Sequence, residues 1–407
     1  MSGLFLFLEK TKKMTYTLFD DKWRNHLLPL TYTRPVSELR IGILTIREKW
    51  EKYLDIQISS WKTEEYLSEK YSFNESKSGI FLNGHCCPNP KLAQQVKTLE
   101  EAQGIRFGEI LIAFKLSTEN ISFSKAEGKI EWFEPVEKPF ILQKPWEIFT
   151  QNGIEIEKDF RLLTSGRKSL PVSTTVNAIA PENIFIEEGA VLNYATINAE
   201  KGPVYIGKNS EIMEGSLIRG PLALCDHSVI NMGAKIYGAT TIGPQSKVGG
   251  EINNVVIQGY SNKGHDGFLG NSVLGEWCNL GADTNTSNLK NDYTEVKLWD
   301  YPTGRFQKTG LQFCGLIMGD HSKCGINTMF NSGTVIGVAC NIHGTGYPRN
   351  FVPSFSNGGP QGFVLLPLKM VITTAQKVMN RRNTELSETD RKILEAIFEQ
   401  TKQYRKY

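Results

Sequence analysis

Residues 206–248 read IGKNSEIMEGSLIRGPLALCDHSVINMGAKIYGATTIGPQSKV. Steps of six through this stretch land on Ile206, Ile212, Ile218, Leu224, Ile230, Ile236, Ile242 and Val248, all aliphatic. Four residues after each step the side chain is mostly small: Ser210, Ser216, Ser228, Ala234, Thr240 and Ser246, with Leu222 the exception. Neither the helical period of 3.6 nor the strand period of 2 produces this pattern. A period of six describes a short strand and a turn, repeated. Three such units close one triangular coil, and successive coils stack their aliphatic side chains inward as one ladder. Small residues fit the corners, and glycine takes turn positions that need unusual dihedrals. The stretch therefore predicts a parallel β-helix.

The pattern weakens at Phe268, Leu274 and Leu280, with Cys278 and Thr284 at the small positions. It resumes at Met318, Cys324, Phe330, Ile336 and Ile342, with Ser322, Thr328, Thr334 and Cys340 at the small positions. Of the 37 glycines, 25 lie between residues 179 and 350, together with five of the seven cysteines. Such unevenness marks a repeat. Cys278, Cys324 and Cys340 fall on ladder or corner positions, so they are expected as buried fillers rather than metal ligands. Two interruptions, at residues 196–204 and 285–312, are expected to loop out from one side, where solenoids build binding sites.

The 407 residues carry 46 Lys+Arg against 43 Asp+Glu, a formal charge of +3. No Lys/Arg block stands out, which speaks against nucleic-acid binding driven by bulk charge. The apolar fraction of 40% is that of a folded globular chain. The longest apolar run near the start, Leu4–Leu8, is too short to span a bilayer or to form a signal core. A cytoplasmic protein without a disulfide framework is expected. Residues 1–13 read as an extension and 14–145 as an α/β domain. The strands expected there are Tyr16–Phe19, Ile80–Leu82 and Ile110–Phe114, and the helices Val36–Leu54 and Lys91–Ala102. Residues 146–178 connect to the β-helix of 179–350. Residues 351–407 form a loop and two helices, Leu368–Asn380 and Ser387–Gln403, expected to cap the open end of the solenoid.

The segment 251–288 holds Gly264-His265-Asp-Gly-Phe268-Leu-Gly270, then Asn279-Leu-Gly-Ala282-Asp-Thr284, then Asn288. This resembles the acetyltransferase half of the bifunctional bacterial GlmU family (N-acetylglucosamine-1-phosphate uridyltransferase and glucosamine-1-phosphate N-acetyltransferase). The resemblance covers about residues 180–345. It implies a left-handed β-helix of the hexapeptide kind, which agrees with the period. It implies acetyl-CoA as co-substrate and His265 as general base on a sugar amine, a role that suits an imidazole titrating near neutrality. By the same resemblance Asn279 and Asn288 contact sugar and acyl donor, and Lys235 holds a sugar phosphate. Arg305 lies near a basic residue that the family supplies from a neighbouring subunit. Ala282 and Thr328 serve acetyl-CoA. A homotrimer is implied, because family sites lie between neighbouring β-helices.

Three positions depart from the family pattern: Phe268 replaces a tyrosine, Asn253 replaces a second phosphate-binding lysine, and the loop after Asn288 is longer. The acceptor is therefore open among amino-sugar phosphates and nucleotide sugars of cell-envelope polysaccharide synthesis.

The run Leu27-Leu-Pro-Leu-Thr-Tyr-Thr-Arg-Pro-Val36 resembles the nucleotide-site segment of sugar nucleotidyltransferases, and so implies a Rossmann-like N-terminal domain. The glycine-rich loop of that family is replaced here by Phe19-Asp-Asp-Lys-Trp-Arg24, and the Mg²⁺-holding aspartate by Leu82-Asn-Gly-His85. No metal ligand set is read from the sequence, and Mg²⁺ is expected only if this half turns over. Arg24, Arg34, Arg40 and Arg47 are candidates for gripping a phosphate; the alternative for them is a solvated helix face. Three functions remain in view. The first is an N-acetyltransferase with a degenerate N-terminal domain. The second is a sugar-1-phosphate nucleotidyltransferase whose β-helix serves oligomerisation. The third is a non-catalytic scaffold.

Overall fold

A computed structural model describes residues 14–74, 78–117 and 127–407. The extension 1–13 lies outside the described residues. The N-terminal domain is built on a six-stranded mixed sheet in the order Trp61–Lys62, Thr15–Phe19, Ser78–Asn83, Ile110–Ser117, Gln103–Phe107, Glu131–Phe133. The first three strands are parallel, and Ile110–Ser117 runs antiparallel to Ser78–Asn83. Two helices pack on this sheet, α1 (Ile46–Leu54) and α2 (Pro90–Lys97). The expected helix Val36–Leu54 is mostly loop. Val36–Glu38 is a single 3₁₀ turn, and Gly42 adopts φ +83°, which a continuous helix does not allow. α1 starts where the sequence provides a capping box: Glu48 N–H donates to Thr45 Oγ1 and Thr45 N–H to Glu48 Oε2.

The second half is a parallel β-helix with three faces. The eight aliphatic residues of the hexapeptide ladder are all buried inside it. The first face runs from Ile184–Ile186 through Val204–Ile206, Leu222–Leu224 and Thr240–Ile242. The second runs from Val191–Leu192 to Asn341–Ile342, and includes Lys247–Val248, Asn262–Lys263, Asn279–Leu280 and Lys323–Cys324. The third holds Thr196–Asn198, Leu217–Arg219 and Lys235–Tyr237. Thr196–Asn198 is thus a regular strand, so the first interruption is shorter than expected.

The period slips after Val248 for a geometric reason. Strands Glu251–Gly259 and Phe268–Glu276 each run straight through a corner, from third face to first. The ladder there steps from Ile252 to Ile257 and from Leu269 to Leu274. Leu269 therefore takes the inward position expected of Phe268, which is half-buried on the outside. Cys278, Cys324 and Cys340 are buried in the ladder cluster, as the period required.

Each face has a different outer partner. The first is covered by α3 (Pro145–Thr164) and the N-terminal domain. Val256, Val273, Ile317 and Val335 point outward from it into the same apolar cluster as the N-terminal core. Gly153 of α3 lets the helix approach the corner, since a Cβ there would stand 3.1 Å from Ala239 Cβ. The second face is flanked by the C-terminal helix α4 (Leu368–Asn380), against which α5 (Glu388–Gln400) packs. These helices do not simply cap the solenoid end. Their apolar side chains Val371, Ala375, Met379, Ile393 and Ile397 join the N-terminal core cluster, and α5 reaches the N-terminal domain through Lys70–Asp390 and Lys392–Glu69.

The seam under α3 is held by a buried charge triad. Lys49 Nζ lies 2.6 Å from Asp159 Oδ1 and 2.9 Å from Glu155 Oε2, with all three side chains 1% exposed. Asp159 Oδ2 also accepts from Ile43 N–H and Leu44 N–H, and Asn152 Oδ1 accepts from Gly42 N–H and Thr241 Oγ1. Burial pushes the Asp159 carboxyl up to about 6 against the pull of Lys49. Removing the cation from such a cluster leaves charge unpaired in low dielectric. Lys49→Ala is expected to lower the unfolding free energy by about 3–5 kcal/mol in urea titrations. A loss under about 1 kcal/mol, the range of exposed pairs, would contradict the role given to the triad.

Candidate functional site

Residues two positions past the second-face ladder form one column along the corner between second and third faces. The registers Val248↔Lys263, Leu280↔Cys324 and Cys324↔Ile342, with Asn262 opposite Asn279, place His265, Ala282 and Ile326 at equivalent points of successive coils. Met232 occupies the same point two coils before His265. Met232 and Ile326 are 70% and 72% exposed, so His265 and Ala282 sit in a strip bounded by exposed apolar side chains. The imidazole of His265 is exposed and has no hydrogen-bond partner among the described residues. Asn327 N–H donates to the Ala282 carbonyl, while the Ala282 N–H has no partner among the described residues.

The turn that carries His265 is fixed from inside the coil. Lys263 occupies a ladder position and is 1% exposed. Its ammonium donates to the carbonyl oxygens of His265 and Asp266, the second at 2.9 Å. Asn231 Nδ2 donates to Gly264 O at 2.7 Å. Gly267, at φ +105°, packs under the next coil, where a Cβ would meet Thr284 O at 2.2 Å. A lysine inside an aliphatic ladder has a single local use here: it satisfies the two carbonyls that the turn directs inward. Burial lowers its pKa to about 8. The sequence signal was available, because Lys263 breaks the aliphatic run at an inward position, but the slip in period after Val248 obscured it.

Asn279 stands on the second face one coil beyond Asn262, and its Oδ1 accepts from Asn262 Nδ2 at 3.0 Å. Asn288 Nδ2 donates to Asn271 Oδ1 at 2.8 Å, and the ring of Phe268 and the amide of Asn288 both crowd Gly270. Phe268 and Asn288 are thus neighbours on the third face, just past the His265 turn. Lys235 is exposed on the same face, in register with Glu251, which pairs in turn with Phe268. Five of the sequence candidates accordingly lie on the second and third faces: His265 and Ala282 at the corner between them, Asn279 and Lys235 on the faces, and Asn288 at the far edge of the third face beside Asn271.

Two candidates do not join them. Thr328 is 3% exposed and donates to Gly325 O inside the coil, so Ile326 is the residue that its coil presents outward. Arg305 sits on an antiparallel hairpin, Lys297–Asp300 with Arg305–Lys308, that packs against the first-face strand Thr334–Ile336 and Phe351. Within this chain the hairpin is bound to the N-terminal domain, through Asp300 with His26 and Lys144, and not to the His265 corner.

The N-terminal candidates are occupied. Arg24 is 4% exposed and pairs with Asp20, Glu64, Tyr66 and the Thr31 carbonyl. Arg34 is buried between Glu276 and Asp320 of the β-helix. Arg40 bonds the Ile43 carbonyl and approaches Glu48, and Arg47 pairs with Glu38 and Glu51. These four are neither a solvated helix face nor free phosphate grips.

The loop after Thr15–Phe19 is equally committed. Asp20 accepts from Val36 N–H and Thr63 Oγ1, and Asp21 from Trp23 N–H and Asn83 Nδ2, with His85 Nε2 at 3.2 Å. His85 Nδ1 is 2.7 Å from Leu142 O. Each oxygen of both carboxylates is already held by a protein donor, whereas a hard cation is held by several oxygens directed at it. Among the described residues no group of three or more His, Cys, Asp or Glu stands ready for a metal. The residues present do not fit Mg²⁺.

Comparisons with known proteins give matches to sugar nucleotidyltransferases and to acetyltransferases. Residues 16–168 match the family model described as Sugar nucleotidyl transferase. A bifunctional sugar-1-phosphate nucleotidylyltransferase/acetyltransferase of Sulfurisphaera tokodaii is 32% identical over 145 residues, 35% of this chain and 36% of that protein. An uncharacterized acetyltransferase of Escherichia coli, YaiX, is 30% identical over 148 residues, 36% of this chain and 64% of its own length. A bifunctional protein GlmU of Methanocaldococcus jannaschii is 27% identical over 197 residues, covering 48% and 41%. The matches thus span between about a third and two thirds of these relatives.

The depressed pKa of Lys263 makes a testable statement. The unfolded chain holds this proton up to about 10.5 and the folded chain to about 8, so the unfolded state binds more protons between these values. Stability contributed by this group therefore rises as pH is raised through that window. Urea midpoints measured from pH 8 to pH 10 are expected to show this rise in the parent and a flatter profile in Lys263→Met. Equal slopes would contradict the assignment.

Proposed function

We propose that the protein is an acetyl-CoA-dependent N-acetyltransferase acting on an amino-sugar phosphate of the glucosamine 1-phosphate kind or on a nucleotide sugar. The observation that carries this reading is the corner column, in which an unbonded imidazole is followed one coil later by the free Ala282 N–H. In the reaction His265 takes a proton from the acceptor amine as its nitrogen bonds the thioester carbonyl carbon. The Ala282 N–H stabilises the oxyanion that forms. The C–S bond then breaks, and the CoA thiolate leaves with the proton returned from the imidazolium. Asn279 and Asn288 orient acceptor and donor. Lys235, exposed and without an ion pair among the described residues, offers a charge to a sugar phosphate. The exposed strip of Met232 and Ile326 supports burial against a pantetheine arm or a neighbouring copy, and a homotrimer is the assembly we propose. No helix among the described residues is long and apolar enough to cross a membrane, which agrees with the cytoplasmic placement we propose.

A second reading, sugar-1-phosphate nucleotidyl transfer, is favoured by the family match over residues 16–168. Against it stand the committed carboxylates Asp20 and Asp21. Both readings meet in one assay. The purified chain is incubated with acetyl-CoA and a panel of amino sugars, free, phosphorylated and nucleotide-linked, and products are followed by mass spectrometry. A parallel arm contains nucleoside triphosphates, sugar 1-phosphates and Mg²⁺. We expect an acetylated product whose rate falls by about 10²–10⁴ in His265→Ala, the usual contribution of a general base, and no pyrophosphate in the parallel arm. Undiminished acetylation by His265→Ala would remove the base. Pyrophosphate without acetylation would favour the second reading.

A further inference from the structure

The corner between first and second faces carries a second column, three positions past the first-face ladder: Gln245, Tyr260, Trp277, His321 and Ala339. All five have φ between +51° and +61°. Small or amide side chains tolerate this region, and bulky ones are uncommon there. Three successive coils nevertheless place Tyr260, Trp277 and His321 in it. Tyr260 and Trp277 stack at 4.3 Å between centroids, and Trp277 and His321 at 6.3 Å. Asn209, His227 and Phe355 take the same region at this corner in other coils, so the left-handed turn belongs to the solenoid, and the stacked rings are what sets these coils apart.

The stacked pair forms one wall of a cavity of about 350 Å³ between the second face and the end of α4. Lys247 and Lys323 approach it from the β-helix, and Arg381 and Arg382 from the residues that follow the helix. No carboxylate lines it, and none of the four cations has an acidic partner within 4 Å among the described residues. The negative end of a helix accounts for arginines following α4. It does not account for two lysines on the opposite wall. Burial holds the Lys323 ammonium below its ordinary range, and burial with the neighbouring Arg381 charge does the same to Arg382. Four like charges converging on a space of small-ligand size are most stable with a multiply charged anion between them.

We propose that this cavity binds a diphosphate-bearing small molecule, with Lys247, Lys323, Arg381 and Arg382 on the phosphates and the Tyr260–Trp277 wall beside the attached organic group. The cavity opens on the second face, where Asn279 also lines it, and its four cations are not among the residues given a role in transfer. A nucleoside diphosphate group and the diphosphate of CoA share this chemistry.

Calorimetric titrations of the full chain with inorganic pyrophosphate, UDP and CoA separate the sources. The same titrations are run on Lys247→Gln, Arg382→Gln, Lys201→Gln and His265→Ala, with thermal midpoints as the check on folding. One nucleotide is expected to bind more tightly than pyrophosphate. Its affinity should fall about tenfold, or ~1.4 kcal/mol, in each cavity variant, and Lys201→Gln, at an exposed lysine outside both sites, should leave it unchanged. Preference for UDP identifies a nucleotide-linked ligand, and preference for CoA the acyl donor. Absence of saturable binding, or binding indifferent to Lys247→Gln and Arg382→Gln, would overturn the proposal. So would binding lost only in His265→Ala, which would place the ligand at the other corner.

Discussion

Everything in the second half of the chain depends on inward stacking of one aliphatic residue per hexapeptide. Each coil hydrogen-bonds only to its neighbours, so the ladder sets the register of every outward residue. Once Ile230, Val248, Leu280 and Cys324 point inward on the second face, the residues two positions later must share one corner. Functional groups far apart in sequence are thereby aligned without long-range design of their loops. The cost of an error is also shared: a one-residue slip would turn the whole column toward the interior.

The three faces are put to different uses. The first is sealed by α3 and the N-terminal domain, through Lys49, Glu155 and Asp159 and through the pairing of Arg34 with Glu276 and Asp320. The second is flanked by α4, leaving charged space between helix and coil. The third carries Lys235, Phe268 and Asn288 and has no such cover from the described helices. The N-terminal domain has spent Arg24, Arg34, Arg40, Arg47 and its loop carboxylates on internal contacts. In this chain it serves at least as a structural partner of the β-helix.

Much of this was legible from sequence, and the reasons for the rest are physical. The ladder was readable because period six differs from both common periods. It blurred at 251–280 because two strands cross a corner with one residue fewer and because Lys263 sits where an aliphatic residue was expected. His265, Ala282, Asn279 and Asn288 were singled out by resemblance, and the coils bring them onto the second and third faces. The inward turn of Thr328 followed from the period itself, since it holds a small-residue position. The pairing of Arg34 was not readable, because its partners lie more than 240 positions away. The helix expected from Val36 failed at Gly42, whose φ of +83° breaks it. The basic cavity was invisible because its walls come from two elements that no local pattern connects.

The transfer reading we propose lays acetyl-CoA along the column of His265, Ala282 and Ile326. Amide hydrogen exchange with and without acetyl-CoA tests it directly. Slower exchange is expected in the turns 264–267, 281–284 and 325–328, with the N-terminal sheet unchanged. Slowing confined to the N-terminal domain, or none in these three turns at saturating acetyl-CoA, would contradict it.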